Sequence, residues 1–325
     1  GRSLTMHRVP ALLVLLALAG AGALAVTAPG EPLPEIVIEG RHEGPRMWTV
    51  RKGEHTLWIL GTISPLPRRM QWQPDAVRAV LRQVQEVVPA WPSYGIGANP
   101  LTALRVYIEW RRLQKPPDNL PLRATLPPAL YARVEALKER YDPRDRKLEQ
   151  MRPMLAARQL TARVLDAAGL AQHNEVQETV LQLARAQGVR VHQDKLKIED
   201  PVDVLKDVSS TTLDREVACL DSVVTLLEHD IGPMQQRAQA WALGDVETLR
   251  QLPYAADRST CLTAVSSSER VRSLVQRAQD DWLIAIEDGL NRNAGTLAVQ
   301  SMDRLLGEHG ALATLRARGY SVEGP

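Results

Sequence analysis

The sequence predicts a helix-rich α+β fold, a mixed central β-sheet flanked by helices and carrying a large helical lobe. Three observations support this. Residues 57–64 read LWILGTIS, apolar on both faces of an extended segment, which demands a central place in a sheet covered on both sides. Short β-type segments then frame a long helical stretch at about 101–187, the pattern of helices laid over a sheet. Finally, Leu213, Val217, Leu220, Val224, Leu227, Ile231, Met234, Ala238 and Trp241 alternate spacings of four and three, the stripe of a long amphipathic helix.

The chain has 325 residues, 44% hydrophobic and 24% charged, enough to bury a sizeable core. Forty basic residues against 38 acidic ones leave a net charge of +2, and the two signs are interleaved along most segments. No basic stripe forms, which argues against nucleic acid as a partner.

From Met6 the chain reads MHRVPALLVLLALAGAGALAVTAPG: a basic start, an apolar core and small residues ending in Ala23-Leu24-Ala25. That is the pattern of a secretory signal peptide over residues 1–25, with residues 1–5 ahead of its Met and cleavage expected after Ala25. The competing reading is a retained anchor, because residues 11–28 carry no charge. Cleavage implies a periplasmic or secreted protein with no stable membrane span. No cysteine lies near the cleavage point, which disfavours a lipid anchor. The two cysteines, Cys219 and Cys261, both fall in the exported part, where a disulfide tying two helices is expected; two separate buried thiols are the alternative.

Residues 26–46 form a Pro-rich tether with a first strand candidate, EIVIE, at 35–39, and residues 47–325 form the main domain. Segments 47–50 and 56–63 flank a Gly-containing turn and read as an antiparallel hairpin. Pro65 and Pro67 stop the second strand. Pro74 opens a helix with Val77, Val80, Leu81 and Val84 on one face, and 86–89 is a short strand. Helices are expected at 101–113, around Leu130, Val134 and Leu137, at 154–170 and at 176–187, with a Pro-rich loop running to Pro128 and a short strand at 189–192. The long stripe starts at a Thr211/Thr212 cap; Gly232-Pro233 must bend or break it, so packing within the molecule is preferred to a dimeric coiled coil. Gly244 ends that segment. Helices at 246–252, 269–290 and 311–318 and strands at 296–299 and 320–323 complete the domain.

The titratable clusters read first as ordinary surface. His173, His229 and His309 sit in polar contexts, Glu228-His229-Asp230 reads as a solvated helix face, and the charged run at 194–200 reads as exposed. His55 and His192, at strand ends, are the two histidines that could join a site.

Three stretches resemble the TraB/GumN family of metallopeptidase-like proteins. MWTVRKGEHTLWILGTISPLPRRM is similar to that family's opening strand pair, including Leu60-Gly61-Thr62. Trp282-Leu283 through Ala298-Val299 is similar to its late helix and strand, and the stretch from Gly310 to Val322 to its closing helix and strand. The resemblance implies a mixed sheet flanked by helices, with a divalent-metal hydrolase site at strand ends built on two Gly-x-x-His motifs. Here Gly61 keeps the first glycine and Ser64 replaces its histidine, while Ser301 and Arg304 stand at the second glycine and histidine. The acidic residue after the family's next strand has no heir in 87–92. Arginine has no lone pair to donate and repels a cation, so the resemblance implies a frame without its metal or any other cofactor.

The expected function is a binding or accessory factor of the cell envelope, its partner a peptide, protein or glycan. Trp58, Trp72, Trp91 and Arg304 would line its pocket, with His55 and His192 nearby. The alternatives are a metal-dependent or serine-type hydrolase with relocated residues, and an accessory protein of exopolysaccharide export, the latter by family association alone.

Overall fold

The computed structural model describes residues 44–325 apart from 69, 91–92, 97–98, 172–174, 194, 253–260, 262–263, 265–267 and 307–308. The signal segment, the EIVIE strand, Trp91 and His173 therefore lie outside the described residues. The fold is α+β, a six-stranded mixed sheet with helices around it.

Strands β1 (Met47–Lys52) and β2 (His55–Thr62) form the expected hairpin, turning through Gly53 at φ +58°, a conformation that glycine adopts without steric cost. β3 (Leu66–Pro67) follows, then α1 (Asp75–Leu81), opened by Pro74, and β4 (Glu86–Val88). Further along come β5 (Ser93–Ile96) and α2 (Pro100–Leu113). The segment expected as a Pro-rich loop instead holds short helical turns, Pro117–Asn119 and α3 (Leu122–Thr125), before α4 (Pro128–Tyr141). Proline is tolerated in a first helical turn, where its missing N–H has no intrahelical partner to lose. α5 (Pro153–Ala167) ends before 170, because Gly169 turns left-handed at φ +69° and β6 (Leu170–Ala171) pairs back onto β3.

After α6 (Glu175–Ala186) and β7 (Arg190–Val191), the charged run expected to be exposed forms β8 (Lys195–Ile198), parallel to β5. Its alternation buries Leu196 and Ile198 while Lys197 faces solvent. Next come α7 (Pro201–Ser209), α8 (Leu213–His229), α9 (Ile231–Leu243) and α10 (Val246–Gln251). The long stripe breaks at Asp230, which closes α8 and opens α9, so Pro233 falls in a first turn. Thr212 stands at the N-cap position but makes no side-chain cap bond. Leu220, Val224, Leu227, Met234, Ala238 and Trp241 are buried within the same molecule. Only His229 of the 228–230 cluster is freely solvated: Glu228 accepts from Arg133 and Asp230 from Arg237.

The last elements are α11 (Glu269–Arg292), β9 (Gly295–Ser301), α12 (Met302–Leu305), α13 (Ala311–Ala317) and β10 (Ser321–Glu323). The sheet order is β10-β1-β2-β9-β4-β7, antiparallel on the β10 side and parallel from β2 onward. β2 is central, as its two apolar faces require, and Leu57, Ile59 and Leu60 are fully buried.

Two cores result. One lies around the sheet; the other lies among the helices and includes Leu113, Val134, Leu160, Val208, Leu220 and Leu274. α11 joins them: Val271, Leu274 and Ala278 pack in the helical core, and Trp282, Ile286 and Leu290 in the sheet core. Cys219 of α8 is bonded to Cys261, with Cα atoms 4.5 Å apart, beside the helical core. Among the described residues no helix is long and apolar enough to cross a membrane.

Candidate functional site

β2 and β9 lie side by side and parallel, with Gly61 opposite Gln300 and Thr62 opposite Ser301. Both chains therefore leave the sheet at the same edge. Ser64 follows two residues after β2 and is exposed, while Ser301 closes β9 and Arg304 sits half-buried on α12, which starts immediately after it. The two segments carrying the motif positions are brought together by parallel pairing alone.

Gly61 is demanded by packing. A Cβ there would overlap Met302 Sδ and come within 2.9 Å of Trp48 Cζ3 and 3.3 Å of Leu305 Cδ1. Trp48 is itself only 2% exposed, so its ring has little room to give, and Gly324 is likewise required, since a Cβ there would come within 2.8 Å of Trp48 Nε1. Trp241 of α9 donates Nε1–H to the Gly61 carbonyl at 2.7 Å, and Trp72 packs on Trp241 with ring centroids 5.7 Å apart. Thr62 Oγ1 lies 3.4 Å from the Gln300 carbonyl, and the Gln300 side chain accepts from Ser301 N at 3.0 Å. The strand ends are thus floored by indoles, thioether and neutral amide groups.

The other expected lining residues lie elsewhere. His55 begins β2, and Ser64 lies beyond its end; eight residues of strand separate the two ends by about 25 Å. His55 Nδ1 meets the Leu290 carbonyl at 2.8 Å, a structural bond to α11. Trp58 lies mid-strand against Gly295, where a Cβ would approach its ring to 3.1 Å, so it serves packing at the start of β9. Neither reaches Ser64, because strand direction separates them. Among the described residues of the proposed pocket, Arg304 lies at the strand ends on α12 and Trp72 is linked to that group through Trp241.

His192 belongs to a different cluster, one that sequence reasoning missed. Glu86, at the start of β4, is 2% exposed, and its carboxylate receives His192 Nδ1, Arg190 Nη2 and Asn293 Nδ2, each at 2.9 Å. Arg292 Nη2 stands at 3.7 Å. Burial pushes this carboxyl up, but the bonds from His192 and Asn293, with the Arg190 charge, outweigh that and hold it below the usual carboxylate range. The signal was present in the sequence as a single acid set among Val84, Val87 and Val88.

A divalent-metal centre needs about three converging imidazole, thiolate or carboxylate donors. Among the described residues no group of three His, Cys, Asp or Glu could hold a metal ion. Ser64 and Arg304 bring a hydroxyl and a guanidinium, so the donor set at the strand ends does not fit such an ion.

The model of the TraB/PrgY/gumN family matches residues 46–324. No curated protein and no solved structure matches the chain.

Proposed function

The chain belongs to the TraB/PrgY/gumN family, and from that membership we propose that it acts without a catalytic metal, as a binding or accessory factor of the cell envelope. One observation carries the reading. The two motif segments converge at neighbouring parallel strand ends, yet present Ser64 and Arg304 where the resemblance implies imidazoles. A permanent guanidinium and a hydroxyl at these positions suit a carboxylate or another oxygen-rich group far better than a cation. A peptide, a protein segment or an acidic glycan offers such a group. The signal-like segment before residue 26 and the Cys219–Cys261 pair support placement in an oxidising, extracytoplasmic compartment.

Metal content tests this directly. Protein purified without chelator and then dialysed against zinc, manganese or cobalt should retain far less than one ion per chain, with no change on Ser64→Ala. Stoichiometric metal that Ser64→Ala abolishes would overturn the proposal.

A further inference from the structure

α2 carries two apolar faces where one would be expected. Val106, Trp110 and Leu113 pack toward the helical core, with α7 alongside. On the opposite face Leu101, Leu104, Tyr107 and Ile108 are 57%, 54%, 58% and 40% exposed. Their spacing makes one stripe along the helix, and four large apolar side chains in a row are more than the scattered exposure of an ordinary surface.

The stripe is flanked by charge of one sign. α2 and the two residues after it hold Arg105, Arg111, Arg112 and Lys115 against a single acid, Glu109, which is buried and paired with Arg112 at 2.7 Å. At the C-terminal end Arg111 and Lys115 border a 390 Å3 cleft together with Leu120, itself exposed. The acid in that cleft, Glu149, accepts from the Arg123 amide and the Tyr131 hydroxyl.

We propose that α2 is an interfacial helix that seats the protein on an anionic phospholipid surface, its stripe at the acyl boundary and its cations on the phosphates. The helix has 14 residues, about 21 Å of length, too short and too charged to cross a hydrocarbon core of about 30 Å. It can lie in the surface plane, as helices with an apolar face and a basic rim do. A second copy of the chain fits less well, because face-to-face helices would oppose arginine to arginine. This inference stands independently of the strand-end reading.

The test uses the full chain with its disulfide intact and an environment-sensitive dye on Ile108→Cys or, as a control on α10, on Glu247→Cys. With phosphatidylglycerol-containing vesicles the dye at 108 should shift to the blue; with pure phosphatidylcholine, or in high salt, it should not. The dye at 247 should not respond. Leu104→Asp should abolish the shift, and Arg105→Gln or Arg111→Gln should each weaken binding about fivefold. No shift at 108, or equal shifts at both positions, as capture by the N-terminal apolar segment would give, would overturn the proposal. So would a shift that grows with protein concentration in the absence of vesicles, which would mark a second copy as the occupant.

Discussion

Gly61→Ala isolates what the retained motif glycine does. A methyl at that position meets Met302 Sδ, Trp48 Cζ3 at 2.9 Å and Leu305 Cδ1 at 3.3 Å, all on buried residues. The thioether can swing away. The indole, 2% exposed and packed in the sheet core, has little room to follow. Two contacts under 3.0 Å put the overpacking in the upper part of its range, about 2–3 kcal/mol, and the stiffer unfolded chain returns about 0.4–1 kcal/mol, leaving a net loss of about 1–2.5 kcal/mol. In a chain of this size that lowers the melting temperature by about 2–4 °C. Met302→Ala alone should cost about 2–5 kcal/mol through the cavity it leaves. In the double variant the new methyl occupies part of that cavity and the thioether clash is gone, so the loss should fall short of the sum by about 1 kcal/mol. Urea midpoints of the four proteins, measured with circular dichroism, complete the cycle. A Gly61→Ala protein as stable as the parent, or strict additivity with Met302→Ala, would refute a packing role and return the glycine to ligand or substrate contact.

Two further predictions concern buried charge. Because the Glu86 carboxyl is held below the usual range in the folded state, its ionised form contributes stability that is present above the unfolded pKa and lost as pH falls through the folded one. Glu86→Gln should therefore be less stable than the parent at pH 7, with the difference in melting temperature shrinking as the pH drops below the usual carboxylate range; a gap independent of pH would contradict this. Arg152 and Glu216 form a pair 6% and 0% exposed, with Arg152 Nε at 2.9 and 3.0 Å from the two carboxylate oxygens. Glu216→Leu should cost about 3–5 kcal/mol by stranding the guanidinium, while Arg152→Met with Glu216→Leu should recover much of that loss in chemical denaturation.

Much of the fold was legible because it is local. The hairpin was readable from a turn glycine between two apolar runs, and its central position from the absence of a polar face on β2. The 213–241 stripe predicted both burial and a break near Gly232-Pro233. In the 194–200 run Lys197, Glu199 and Asp200 are exposed as expected, but the strand β8 was missed because charge drew attention away from the alternation of Lys197 with Leu196 and Ile198. At the site, the family resemblance pointed to Gly61, Ser64, Ser301 and Arg304, while the placement of His55 and Trp58 away from Ser64 emerged only once strand direction was known.

The chemistry of the two motif positions was read through a family resemblance; by itself, then, the sequence determined the class of fold and the order of its main helices and strands. Periodicity over a few residues carries that information, since each turn of helix or step of strand is set by near neighbours. The tertiary structure alone decided that β9 enters between β2 and β4, that Trp241 seals the end of β2, and that His192 and Asn293 converge on Glu86. Those contacts join residues as much as two hundred positions apart, and it is the collective burial of the whole core, not any local preference, that brings them together.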